Sequence, residues 1–301
     1  MMLNFEPVDI SHRERAGKYL CCKNAIHAEG SFNALYAWAK FFNTQLCFYD
    51  DILFIRSGKD GNNFYQMPRG EGDAIHAIEL ICNDAKERGV KPTLISVTEC
   101  MRERLENIMP GAFEFFEDRD SYDYVYNAKD LIELAGRTFH QKRNNVNKFK
   151  KLLDGRYEYH DFTSADLAEV YEFQKYWLEK NINDDNRASL EGEMTVIERI
   201  FKNFDELGYV GGLIRVDGRV AAYSIGSRLC SDAFLVSVEK ADIQYPGIYQ
   251  AINQFFAASH CTDVRYINRE DDAGSEGLRK AKLSYHPEIL LKKYRAVWKR
   301  D

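Results

Sequence analysis

"YVGGLIRVDGRVAAYSIGSRL", Tyr209 to Leu229, reads as two strands joined at Asp217-Gly218. A type I′ turn needs φ > 0 at both central residues, and Asp-Gly between alternating apolar runs meets that need, so the dipeptide predicts a tight hairpin. "DAFLVSVEKAD" (232–242) adds a third strand. Upstream, "YEYHDF" (157–162) alternates as a strand. "TSADLAEVYEFQKYWLEK" (163–180) opens on a Thr/Ser cap and then carries apolar residues at helical spacing from Leu167 to Trp177. An Asn- and Asp-rich loop, Asn181 to Asn186, leads into a second helix, "EMTVIERIFKNFDELG" (193–208), closed by Gly208. Downstream, "GIYQAINQFFAASH" (247–260) predicts a helix and "VRYINRE" (264–270) a strand. "SEGLRKAKLSYHP" (275–287) predicts a short helix stopped by Pro287, and "EILLKKYRAVW" (288–298) one final strand. The order is β-α-α-β-β-β-α-β-α-β.

That order resembles the acyltransferase fold of the GNAT superfamily. The first half carries a fainter copy: "FEPV" as a strand, "ISHRERAGKYL" and "FNALYAWAKFF" as helices, "QLCFYDDILFIRSG" with "NFYQMPRG" as a meander. "GDAIHAIELICNDAKERG" follows as a helix, "PTLISVT" as a strand, "ECMRERLENIM" as a short helix and "FEFFEDRDSYDYVY" as closing strands. The expected fold class is therefore α/β (α+β), with two tandem GNAT-like domains. Each is a mixed, mostly antiparallel central sheet flanked by helices.

Bulk composition agrees with two folded domains. The chain has 301 residues, 45% of them hydrophobic, with 19 Phe, 18 Tyr and 3 Trp, which excludes a disordered chain. Seven cysteines (Cys21, Cys22, Cys47, Cys82, Cys100, Cys230 and Cys261) show no C-x-x-C pair and read as reduced thiols that mostly pack. The N-terminus lacks a signal-peptide pattern and no run of 18 apolar residues occurs, so a cytoplasmic protein without a transmembrane segment is expected. Charge is uneven. The chain as a whole is −6, yet residues 136–156 hold seven cations and one acid. The expected division is an N-terminal domain over 1–135, a basic interdomain helix over 136–156, and a C-terminal domain carrying the site over 157–301.

A GNAT site holds an acyl donor beside a nucleophile, polarises the carbonyl and accepts a proton. The superfamily seats donor phosphates on a helix N-terminus with Gln/Arg-x-x-Gly-x-Gly/Ala. Here Gln244-Tyr-Pro-Gly247-Ile-Tyr249 matches the first two elements and departs at Tyr249. Gln244, Gly247 and Tyr249 are thus donor-binding candidates, and the bulk of Tyr249 points away from ordinary acetyl-CoA; a simple turn before a helix is the plainer reading. On the third strand, strict alternation puts Glu239 on the face of Ser237 and Leu235, opposite Phe234 and the valines, where it is a candidate base. Asn268, Arg269, Glu270 and Asp272 follow a strand closely, at the sheet end where ligands bind in open α/β folds, and are acceptor-binding candidates. A solvated charged loop would look the same. Tyr285, at the end of the short helix, is the candidate general acid. No Cys/His cluster has metal-ligand spacing, and no metal is expected.

"SFNALYAWAK" (31–40), "GRTFHQKRNNVNKF" (136–149) and "NREDDAGSEGLRKAKLSYHP" (268–287) together resemble the soluble C-terminal domain of phosphatidylglycerol lysyltransferases, and above all its stand-alone bacterial members of unassigned function. The resemblance spans nearly the whole chain. It implies a tandem GNAT fold and a transferase moving an acyl or aminoacyl group, from a CoA thioester or an aminoacyl-tRNA, to an amine or hydroxyl. No permanently bound cofactor is implied. The acceptor would be a small molecule or a lipid headgroup, and a tRNA acceptor end is a candidate partner; the membrane-spanning part of the lipid-modifying enzymes has no counterpart here. A non-catalytic ligand- or RNA-binding protein that kept the fold is the alternative, and oligomeric state is not legible.

"GRTFHQKRNNVNKFKK" (136–151) predicts a helix over Phe139–Leu153. At 100° per residue, Val146, Phe149 and Leu153 fall within about 80° of Phe139, and Lys142 falls inside that apolar stripe at about 60°. Arg143 flanks it. A buried ammonium needs a partner, so Lys142 and Arg143 are candidate contacts for donor phosphates. The remaining cations read as a solvated face.

Overall fold

A computed structural model describes residues 3–20, 26–58 and 61–299. Cys21 and Cys22 lie outside the described residues.

The first half runs β1 (Glu6–Pro7), α1 (Arg13–Leu20), α2 (Phe32–Phe42), β2 (Gln45–Tyr49), β3 (Ile52–Ser57), β4 (Phe64–Tyr65), β5 (Arg69–Gly70), α3 (Ala74–Glu87), β6 (Thr93–Thr98), α4 (Glu99–Ile108), β7 (Phe113–Glu117) and β8 (Asp123–Asn127). Two helices cross the middle, α5 (Ala128–Glu133) and α6 (His140–Leu152). The second half runs β9 (Tyr157–Phe162), α7 (Leu167–Asn181), α8 (Arg187–Lys202), β10 (Val210–Val216), β11 (Arg219–Cys230), β12 (Ala233–Ala241), α9 (Ile248–His260), β13 (Tyr266–Asn268), α10 (Glu276–Leu283), β14 (Ile289–Leu291) and β15 (Lys293–Trp298).

Local chemistry explains the boundaries. Asp217 and Gly218 take φ of 50° and 79°, closing the β10–β11 hairpin as its sequence requires. Ser31, Asp73 and Thr98 each accept backbone N–H groups at the start of their helices. The second helix of the second half begins at Arg187, six residues before the predicted Glu193, and ends at Lys202, before a turn that Gly208 completes at φ 65°.

The strands form two sheets among the described residues. The first has the order β1-β2-β3-β4-β6-β15-β7, with β5 also on β3; the second has the order β14-β8-β13-β12-β11-β10-β9. The predicted single strand 288–298 is thus two. β14 pairs with β8 in the second sheet, and after Lys292 the chain crosses over so that β15 pairs with β6 and β7 in the first. Reciprocally, β8 comes from the first half and lies antiparallel to β13 in the second sheet. The sheets therefore exchange strands across the boundary expected at residue 135.

A buried ion pair pins the exchange. Lys293 opens β15 and Asp123 opens β8; the ammonium donates to Asp123 Oδ1 at 2.7 Å and to Glu29 Oε1 at 2.8 Å, with Lys293 and Asp123 at most 1% exposed. Asp123 Oδ2 also accepts from the Ala28 backbone N–H and from Asn268 Nδ2. Burial opposes the charge on Lys293, and its two carboxylates overcome it, holding the ammonium above its ordinary range.

One apolar core joins the halves. Phe32, Leu35 and Tyr36 of α2 pack with Val196, Ile197 and Ile200 of α8. Polar contacts fix the same seam: Asn33 Nδ2 donates to the Leu207 carbonyl at 2.8 Å, and Arg199 Nε to the Tyr36 carbonyl at 2.9 Å.

Removing one partner of a buried pair strands the other charge. Lys293→Met is expected to lower the unfolding free energy by about 3–5 kcal/mol, with both sheets melting in one transition in urea followed by circular dichroism. Two separated transitions would mean that the exchanged strands do not couple the halves.

Candidate active site

A one-residue slip in β12 sets the site. Gly226 pairs with Val236 but Ile225 pairs with Val238, so Ser237 is the extra residue of a β-bulge. Such a slip turns every later side chain to the other face. Glu239 therefore shares the face of Phe234 and Val236, which pack with Phe256 of α9. Unbroken alternation predicted the opposite face. The carboxylate accepts from Asn253 Nδ2 of α9 at 3.1 Å.

Parallel pairing of β12 with β13 ends at Leu235 and Asn268, and beyond that point the strands part. Into the gap comes Arg269, whose Nη2 donates to Glu239 Oε1 at 2.8 Å. Its guanidinium also lies 5.2 Å from the ring centre of Tyr285 and 5.7 Å from that of Tyr126. Glu239 and Tyr285 are thus linked through Arg269 rather than by direct contact. Burial works against the Arg269 charge and the neighbouring Glu239 more than restores it. Burial raises the Tyr285 phenol, and Arg269 partly offsets the rise. Two polar atoms here are buried without a hydrogen bond, Arg269 Nη1 and Asn253 Oδ1.

Lys142 reaches the same gap from α6. Its ammonium sits 4.0 Å from the Tyr285 ring centre and donates to Ser284 Oγ at 2.5 Å. Burial, with Arg269 nearby, lowers it to about 8. Tyr285 and Ser284 are therefore the partners that its place in the apolar stripe demands; a cation over an aromatic face is attracted by the ring's quadrupole. Arg143 turns elsewhere, donating to the Leu134 and Gly136 carbonyls at the end of α5.

The charged run after β13 divides by role. Asn268 is fully engaged, donating to Asp123 and to the Ile26 carbonyl and accepting from the Glu270 N–H. Asp272 is buried between Tyr124, Arg119 and Arg279; burial raises its carboxyl, and these donors and the Gly274 N–H overcome that to hold it at about 2. Both residues hold the loop. Glu270, at φ 55°, points inward with Oε1 out of water and unbonded.

The first turn of α9 carries a different load from the one its motif suggests. Gly247 has φ 90°, and a Cβ there would stand 2.1 Å from the Asn145 carbonyl oxygen of α6 and 3.2 Å from Phe149. The glycine lets α6 press on the start of α9. Tyr249 accepts from Trp177 Nε1 at 3.2 Å, and Gln244 bonds Asp242 in the turn. Neither of two open surface clefts among the described residues, one around Leu3, Arg15 and Tyr49 and the other around Arg13, Ser31 and Arg228, includes Glu239 or Tyr285.

Residues 24–297 match the model of the phosphatidylglycerol lysyltransferase C-terminal family. The chain belongs to that family. A protein of unknown function from Bacteroides thetaiotaomicron superposes with a TM-score of 0.92 at 34% identity, covering 99% of this chain and 100% of that one. L-PGS from Bacillus licheniformis superposes with a TM-score of 0.68 at 13% identity, over 100% of this chain and 95% of that one, which speaks to the fold. An uncharacterised protein of Mycoplasmoides gallisepticum is 26% identical over 179 residues; the match covers 58% of this chain and 55% of that relative's length. A tandem GNAT protein from the clavulanic acid biosynthesis pathway superposes with a TM-score of 0.51 at 10% identity, over 98% of each chain, and shares the fold of two mostly antiparallel sheets flanked by helices. Among the described residues, no helix is long and apolar enough to cross a membrane.

Between about 8 and the ordinary lysine value of 10.5, folded Lys142 has released a proton that the unfolded chain still holds. Stability from this group therefore rises with pH across that window. Lys142→Met is expected to be more stable than the parent at pH 7, with the gap closing as pH approaches 10, in urea midpoints measured at each pH. A gap that does not change with pH would refute the burial of this ammonium.

Proposed function

We propose that the chain transfers an acyl or aminoacyl group to an amine or hydroxyl acceptor at the gap between β12 and β13. The observation that carries this reading is the group of side chains gathered there: Glu239 fixing Arg269, Arg269 Nη1 unbonded, and Tyr285 and Lys142 beside it. Acyl transfer builds negative charge on the carbonyl oxygen, and a guanidinium already held in place stabilises that charge without reorganising. Tyr285, protonated throughout the neutral range, gives its proton to the leaving oxygen or sulfur. Lys142 offers a cation to a phosphate of the donor.

For the donor, the packing of α6 against Gly247 favours an aminoacyl-tRNA end over CoA. A pyrophosphate on the α9 amides would compete for space with the Asn145 backbone and Phe149. The family is named for lysyl transfer to phosphatidylglycerol, which agrees with an aminoacyl donor.

Purified protein is to be given aminoacyl-tRNA or acyl-CoA with amine and hydroxyl acceptors, and product followed by mass spectrometry. Transfer from aminoacyl-tRNA is expected, with kcat lowered about a hundredfold or more in Tyr285→Phe. Transfer from CoA alone would overturn the donor assignment. Absence of transfer from every donor, or an unimpaired Tyr285→Phe, would overturn the active-site reading in favour of a binding protein.

A further inference from the structure

Lys142 is held by two partners that both act as acceptors. Its ammonium donates to Ser284 Oγ at 2.5 Å, and Ser284 Oγ donates its own proton to the Ala281 carbonyl at 2.5 Å. The serine oxygen is therefore an acceptor toward Lys142, whichever protonation state the lysine holds. A second N–H is drawn to the electronegative face of the Tyr285 ring, whose centre lies 4.0 Å away. Two of the three positions around the nitrogen are thus taken by N–H groups. When the ammonium loses a proton, the lone pair appears at the third, directed away from both partners.

That proton leaves readily. Burial foremost, and the Arg269 charge, lower the ammonium to about 8, and among the described residues no carboxylate pairs with it. The titratable groups that face it are Arg269, from the loop after β13, and Tyr285, from the end of α10. Arg143, next to it in α6, is engaged by the Leu134 and Gly136 carbonyls. Lys142 also remains within reach of solvent, being half-buried rather than enclosed. Lys282 shows the difference. Burial lowers it too, but it is 8% exposed and donates to the carbonyls of Arg269 and Asp271, so its nitrogen has no open side.

We propose that Lys142 is an acylation site: its side-chain nitrogen takes an acyl group from a thioester or ester, and the amide so formed removes a cation from the gap. This goes beyond the transferase reading, since an activated acyl group needs only to reach the amine. The ammonium first gives a proton to water, and the neutral nitrogen attacks the carbonyl carbon. A C–N bond forms, the C–S or C–O bond breaks, and the electron pair leaves with the sulfur or oxygen, which takes up a proton. The remaining proton of the attacking nitrogen passes to solvent. Arg269, close enough to depress the ammonium, favours the negative charge that builds on the carbonyl oxygen. The product is uncharged, so a donor phosphate loses the partner that Lys142 offered it.

The test gives the full chain a limiting amount of S-acetyl-N-acetylcysteamine, a thioester without phosphates, and reads acetylation at each lysine by peptide mass spectrometry. At pH 7.5 an amine lowered to about 8 is about one quarter neutral, against about one part in a thousand at the ordinary 10.5. Weaker basicity offsets part of that advantage, and Lys142 is expected to acetylate about tenfold or more faster than the exposed Lys148 and Lys151 of the same helix. Its rate should level off above about pH 8. Acetylation of Lys142 no faster than of Lys148, or a rate still climbing at pH 10, would overturn the proposal. No acceptor or aminoacyl-tRNA is present, so selective acetylation of Lys142 in a protein that transfers nothing supports the site and sinks the transferase reading alone.

Discussion

Lys293, Asp123 and Glu29 make the contact on which the rest of the fold depends. Each of the two exchanged strands begins at one member of this group, and the third comes from the turn before α2. The cost of burying Lys293 and Asp123 is offset only while they stay together, with Glu29 at the edge, so the pair specifies which strand crosses to which sheet as much as it stabilises. Asn268 binds Asp123 as well, and the next residue in the chain is Arg269. The strand exchange and the candidate site therefore share a boundary one residue wide.

Much of this was legible in the sequence, because hydrophobic period and turn chemistry are local. The Asp217-Gly218 hairpin, the helix across residues 140–152 and the placement of Lys142 on its apolar side follow from spacing alone. What failed is what depends on distant partners. "EILLKKYRAVW" alternates without interruption, and nothing local says that the chain leaves one sheet at Lys292 for another. The face of Glu239 was read wrongly for a different reason: a bulge is one unpaired residue, and Ser237 in "FLVSVEK" carries no mark of it. The family pattern did point to the loop after Asn268, although the structure gives half of that loop to support.

The bulge and the end of β12–β13 pairing give the two faces of the second sheet unlike linings. On the α9 side stand Arg269, Lys142 and Tyr285, a cationic and aromatic wall. On the side facing the first half stand Glu270, Ser237 and Tyr209.

The crossing of β15 has a consequence for how the protein is made. The first sheet holds an empty edge between β6 and β7 until residues 293–298 have been synthesised, almost the whole length of the chain later. Meanwhile β8 is complete but its neighbours β13 and β14 are not. On the ribosome neither half can finish before the other, and both must wait with unpaired strand edges, the condition under which chaperones are most often needed. Contacts this distant in sequence also favour slow folding. A protein built of two similar halves thus behaves in biogenesis as a single long one.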